Sequence, residues 1–122
     1  MRRLILLFMF SVIFNSFLCA NYSPIVIQNG GSANDHFEHY SIADMPDAVY
    51  YDSDEGEIII EADGTSSYYN VQIVSNYLNQ TVISTQINGY GDTIDISSLP
   101  DGNYTIVITS EFLNEYVGQF SI

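Results

Sequence analysis

Carboxylates are the reactive groups this chain holds in quantity, and the densest set is 52-DSDEGE-57, with four in six residues. Oxygen ligands at such spacing suit a hard cation, calcium above all. Asp52 and Asp54 stand as in an EF-hand loop, but Gly56 arrives one residue early and no helical pattern flanks the segment. The candidate is therefore a calcium site outside that class, built from Asp52, Asp54, Glu55 and Asp63. The plainer alternative is a solvated hairpin turn. Asp35, Glu38, Asp44 and Asp47 form a second acidic set. His36 and His39, in 35-DHFEH-39, would converge on zinc only from a helix, and a third histidine does not exist. They read as part of a polar linker.

Other chemistry finds little support. After Cys19 the chain has no cysteine and no lysine, and neither histidine sits in a nucleophile motif. No glycine-rich phosphate loop is present. The expectation is a protein without catalytic residues, not an enzyme, with no cofactor beyond the candidate calcium. Tyrosine offers more, because all ten tyrosines follow the first twenty residues, among many Asn, Ser and Asp. Tyrosine gives broad amphipathic contact at low entropic cost. Tyr50, Tyr68, Tyr77 and Tyr90 are the candidate binding surface for a protein or glycan, against the alternative that alternating tyrosines pack the core. The lack of tryptophan weighs against glycan.

The ends and the charge bound the setting. Arg2 and Arg3, the apolar run 4-LILLFMFSVIF-14 and the segment 15-NSFLCA-20 read as an export signal cleaved after Ala20. The alternatives are an outer-membrane lipoprotein acylated on Cys19 and an uncleaved anchor; the apolar run is short for a span of roughly 20 residues. Removing twenty residues from 122 leaves 102, enough for one small domain. That part has no Lys or Arg against fifteen Asp and Glu, a formal charge of −15, and it has no cysteine for a disulfide. Without cations it cannot displace counterions from nucleic acid or settle on anionic lipid. Partners are thus expected among extracellular or periplasmic proteins or glycans, with no integral membrane span after cleavage. The sequons at Asn21, Asn79 and Asn103 would matter only in a eukaryotic secretory route.

The elements that must position these groups are strands. Residues 21–43 hold a short strand candidate, 24-PIVIQ-28, and a polar stretch, and are expected to be an arm, an edge strand or a linker. From residue 44 apolar alternation and turn signals recur every 8–12 residues or so, as in an all-β sandwich. The strands are expected at 48–51, 57–62, 67–75, 80–87, 93–97, 103–110 and 116–122. Their inward sets include Tyr69, Val71 and Ile73, the pair Ile94 and Ile96, and Tyr116, Gly118, Phe120 and Ile122. Residues 104–109 are apolar on both sides and read as a central strand.

Within 96-ISSLPDGNYTIVIT-109, Pro100 ends one strand, Asp101-Gly102 is a turn dipeptide, and Tyr104 opens the next strand. Leu99-x-x-Gly102-x-Tyr104 resembles the tyrosine corner of immunoglobulin-like sandwiches, with leucine filling the corner and glycine granting the turn its positive φ. The succession 57-EIIIEA-62, 71-VQIVS-75, 82-VISTQI-87, 99-LPDGNYTIVIT-109 and 116-YVGQFSI-122 resembles a bacterial domain-of-unknown-function family. That family comprises small secreted immunoglobulin-like β-sandwiches of gut anaerobes; a weaker similarity is to C-terminal sorting domains of type IX secretion cargo. The resemblance covers residues 44–122 and implies a fold and an export route, not an activity.

Residues 44–122 are thus expected to form an immunoglobulin-like β-sandwich of six or seven antiparallel strands, secreted or periplasmic, serving a non-enzymatic binding or structural role. The alternatives are a small secreted protease inhibitor and a calcium-stabilised adhesive module. A chain without Lys or Arg beyond residue 3 offers trypsin no preferred bond. Incubation of the exported protein with trypsin should leave residues 21–122 intact on a mass spectrum; cleavage inside that segment would contradict the expectation.

Overall fold

The computed structural model describes residues 22–30 and 44–122. The signal-like residues 1–20 with Cys19, and Asn21, Asp35, His36, Glu38 and His39, lie outside the described residues. Nine strands follow in order: β1 (Tyr22–Pro24), β2 (Ile27–Asn29), β3 (Ala48–Asp52), β4 (Glu57–Glu61), β5 (Tyr68–Ser75), β6 (Gln80–Asn88), β7 (Gly91–Asp95), β8 (Asn103–Ser110) and β9 (Glu115–Ser121). They form a four-stranded sheet, β1-β3-β4-β7, and a five-stranded sheet, β2-β9-β8-β5-β6. Every pairing is antiparallel. The architecture is an immunoglobulin-like β-sandwich.

Two of the nine strands exceed the six or seven that the turn signals mark out, and both lie at the N-terminus. Tyr22–Pro24 pairs with β3, and Ile27–Asn29 pairs with β9. Between them Ile25 is buried and its amide donates to the Val49 carbonyl, so one short segment edges both sheets. Strand β7 also departs from expectation, running over 91–95 rather than 93–97. Its end is set chemically: the Asp95 carboxylate accepts from the Ser97 amide at 2.9 Å and the Ser97 hydroxyl at 2.6 Å, turning the chain. Its start needs glycine. A Cβ on Gly91 (φ 105°) would lie 2.0 Å from the Ile60 carbonyl oxygen, and one on Gly89 would lie 1.8 Å from that of Ser66.

Inward residues of both sheets interdigitate in one core. Ile58, Ile60, Ile94 and Ile96 come from the four-stranded side, and Tyr69, Val71, Ile73, Tyr104, Ile106, Ile108 and Tyr116 from the five-stranded side. The strand at 103–110 is central, flanked by β5 and β9. Tyr104 is buried, and its hydroxyl donates to the Pro100 carbonyl at 2.5 Å, four residues upstream. Its ring stacks on Phe120 at 5.6 Å, and Phe120 meets Tyr51 of the opposite sheet at 5.9 Å. Leu99 packs half-buried against this core, and Gly102 exchanges backbone hydrogen bonds with Ile122 at 2.9 and 3.1 Å. Gly102 has the positive φ expected of it, at 157°, a backbone conformation that residues with a side chain rarely adopt, and it pairs there with the last residue.

The corner's contribution divides between one hydrogen bond and a large buried ring. Tyr104→Phe should cost about 1 kcal/mol and Tyr104→Ala about 3–5 kcal/mol in denaturant unfolding. A Tyr104→Phe variant as stable as native would deny the hydroxyl a role, and a Tyr104→Ala cost no larger than that of Tyr104→Phe would deny the ring one.

Candidate functional site

The two ends of the sandwich differ in construction. Around the tyrosine corner lie the β3–β4 turn and the β5–β6 turn. At the other end lie residues 44–47 and the β4–β5, β6–β7 and β8–β9 connections. This second end contains a buried carboxylate, Asp44, which is 2% exposed. A charge there needs partners, since an unpaired buried carboxylate is costly. The described residues include no Lys or Arg, so neutral donors hold it. The Tyr116 hydroxyl donates to Asp44 Oδ1, and Asn114 Nδ2 donates to Oδ2 at 3.0 Å. The Tyr69 hydroxyl donates to the Asp44 backbone carbonyl at 2.6 Å.

Both tyrosines point inward from the five-stranded sheet, and both are fully buried. Burial, reinforced by the charges of Asp44, Asp63 and Asp47, pushes the Tyr69 hydroxyl up to about 12. Burial and then the Asp44 hydrogen bond and charge raise Tyr116 further still. The two hydroxyls therefore remain donors across the physiological range. Three separated segments, the chain entering β3, the start of β5 and the start of β9, are clasped on one acid.

Asn114, one of the clasping groups, belongs to the β8–β9 turn. Every amide of that turn has an acceptor. Glu111 N donates to Ser66 Oγ at 3.0 Å, Phe112 N and Asn114 N to Ser110 Oγ at 3.2 and 3.3 Å, and Leu113 N to the Ser110 carbonyl at 3.0 Å. Glu111 returns the link through Oε1, which accepts from the Ser67 amide at 2.9 Å. Leu113 is held at φ 66°, a left-handed conformation that a branched side chain rarely adopts and that costs of order 1–3 kcal/mol. Yet its side chain is 82% exposed, and that of Phe112 is 61% exposed. Tyr90, 72% exposed, stands at the same end, against Gly64 of the β4–β5 loop. What the arrangement offers is exposed apolar side chains carried on a hydrogen-bonded turn. Burying such a side chain against a partner stabilises by roughly 1.5–3 kcal/mol.

The residues singled out from sequence fall into different places. Asp52, Asp54 and Glu55 share the β3–β4 turn, but Asp63 stands beyond the far end of β4, at the clasped end of the sandwich. The turn geometry keeps Asp63 out of any site with the other three. Asp52 is buried, its Oδ1 accepting from the Asp54 amide at 3.0 Å and the Glu55 amide at 3.3 Å, so it shapes the turn. Asp63 shapes another, accepting from the Thr65 amide and hydroxyl, whose hydrogen bonds hold its carboxyl below its usual range. Among the described residues no three His, Cys, Asp or Glu side chains are grouped to hold a metal.

The four tyrosines do not make one surface. Tyr68 and Tyr90 belong to the clasped end, Tyr77 is at the opposite end in the β5–β6 turn, and Tyr50 meets Tyr22 on β1 with ring centroids 6.5 Å apart. Of the second acidic set, Asp44 becomes the clasp, and the Asp47 amide donates to the Glu61 carbonyl. Phe112 and Leu113 were missed. The signal was present, since two large apolar residues in a turn between strands satisfy no local rule.

The sequence matches no protein-family model and no curated protein. Among solved structures it is similar to a DUF3244 family protein with an immunoglobulin-like β-sandwich fold from Bacteroides vulgatus. The TM-score is 0.63 at 15% identity, over 83% of this chain and 98% of that one. That likeness is one of fold. No helix among the described residues is long and apolar enough to cross a membrane.

The clasp carries its own test. Tyrosines whose folded pKa values lie above the ordinary 10 leave stability unaffected below pH 10 and withdraw it as pH rises toward about 12, because only the unfolded chain releases those protons. Stability followed by urea unfolding should be flat through neutral pH and fall steeply above pH 10. Asp44→Ala, which strands the Tyr116 hydroxyl, should cost about 1–3 kcal/mol at pH 7. An unchanged midpoint, or alkaline stability equal to that at pH 7, would contradict the clasp.

Proposed function

We propose that this chain is an exported, non-enzymatic binding domain that docks a protein partner through Tyr90, Phe112 and Leu113. The observation that carries the reading is Leu113. A leucine held at φ 66° with its side chain out in solvent contributes strain to the fold and no burial, which fits a residue shaped for an external contact. A turn already fixed by its own hydrogen bonds loses little freedom on binding, which favours affinity. The loops at one end of an immunoglobulin-like sandwich are a common place for such contacts. Export is supported by the arginine-led apolar run at the N-terminus. The fold likeness and the sequence resemblance together favour placing the chain with small secreted bacterial sandwiches of unknown function.

The inhibitor alternative is less favoured at this turn, because a protease cleft takes an extended segment as an added strand and Leu113 is left-handed. A calcium-stabilised adhesive role retains only Asp52, Asp54 and Glu55 of its four ligands in one turn.

The test compares native protein with the double variant Phe112→Ser/Leu113→Ser in capturing a partner from culture medium, with Tyr77→Ser at the opposite end as control. All three replaced side chains are exposed, so melting temperatures should match. The double variant should lose about tenfold or more in affinity, as expected for losing over 1.4 kcal/mol of apolar burial. Equal capture by native and double variant would overturn the reading.

A further inference from the structure

The five-stranded sheet ends on β6, a nine-residue strand whose outer edge no other strand of the described residues covers. Exposed edges in stable proteins are shortened, charged or broken by proline. The other edge of this sheet, β2, is three residues long. Strand β6, 80-QTVISTQIN-88, contains no charge, proline or glycine. Its one irregularity is a bulge opposite Ile73 and Val74, where Ile73 pairs with Ile83 and Val74 with Thr81, so Val82 is the extra residue. From Ile83 onward the edge is regular.

We propose that this edge pairs with the same edge of a second copy, joining two five-stranded sheets into one ten-stranded sheet. Charge selects this occupant. The carboxylates of the described residues cluster on the four-stranded sheet and the turns, at Asp47, Asp52, Asp54, Glu55, Glu57 and Glu61 among others, whereas β5, β6 and β8 carry none. Two copies of so acidic a chain repel one another across most approaches, but β6 brings neutral surface to neutral surface. A basic partner would gain nothing at this edge and would favour the acidic sheet.

The sequence of the edge is also self-complementary. Antiparallel pairing about a two-fold axis through Thr85 sets Ile83 opposite Ile87 and Ser84 opposite Gln86. Inward residues then meet inward residues, as the pleat demands. Ile83, only half-buried at the free edge, gains an isoleucine neighbour, and the two Thr85 side chains face each other across the axis. The contact is isologous and closes at two copies. A single added strand is a small interface, so the dimer should be concentration-dependent.

Sedimentation equilibrium on the purified protein tests the idea. Mass should rise from one chain toward two as concentration enters the high-micromolar range. Thr85→Glu, which sets carboxylates against each other at the axis, should hold the protein at one chain. Ser84→Glu/Gln86→Glu does the same from the solvent face, where neither substitution touches the core, and keeps the test usable if Thr85→Glu unfolds. Gln119→Glu, on β9, should associate like native. Native protein that remains one chain throughout, or a Ser84→Glu/Gln86→Glu variant that associates as native does, would overturn the proposal.

Discussion

The constraint behind this structure is the want of positive charge: the only two Lys or Arg residues are Arg2 and Arg3, against fifteen Asp and Glu. Among the described residues there is no Lys, Arg or His, so a folded acid there is satisfied by hydroxyls and amides. The structure meets this requirement repeatedly. Asp52, Asp63 and Asp95 each turn back to accept from amides or hydroxyls two or three residues on. Asp44 is buried under two tyrosines and an asparagine. Acidity here shapes turns as well as solubility.

Tyrosine is the residue that reconciles this acidity with a hydrophobic core. Tyr69, Tyr104 and Tyr116 bury their rings and spend their hydroxyls on acceptors at the two ends of the sandwich. At the tyrosine corner the acceptor is a backbone carbonyl, and the ring stack through Phe120 to Tyr51 spans the sheets. At the other end the acceptor is Asp44, and the consequence is reach. Asn114 carries the clasp into the β8–β9 turn, so Phe112 and Leu113 stand on a buried network instead of on a loose loop. Rigid support beneath exposed apolar side chains is the physical basis for reading this end as a contact surface.

Much of the fold was legible because it is local. Alternation in 68–75 and 103–110 fixes which side faces in, and the proline–glycine–tyrosine spacing fixes the corner. Strand ends governed by side-chain capping were less so: the pull of Asp95 on Ser97 shifts β7 by two residues. The N-terminal strands were half visible, since three-residue edges owe their pairing to the sheets they join. The clasp was not legible. Asp44 meets its partners 70 and 72 residues away, and nothing in its neighbourhood distinguishes it from the solvated acids beside it. Sequence spacing likewise grouped Asp63 with Asp52, which the length of β4 separates.

The central claim is that neutral hydrogen bonds alone make the apolar tip rigid. Native-state hydrogen exchange of the Phe112, Leu113 and Asn114 amides measures this most directly. The account predicts protection close to that of the β8 core amides, because all three donate to Ser110 and the turn is tied to Asp44. Exchange at the rate of an unstructured loop would show that the tip moves freely, and the clasp would then hold nothing of consequence.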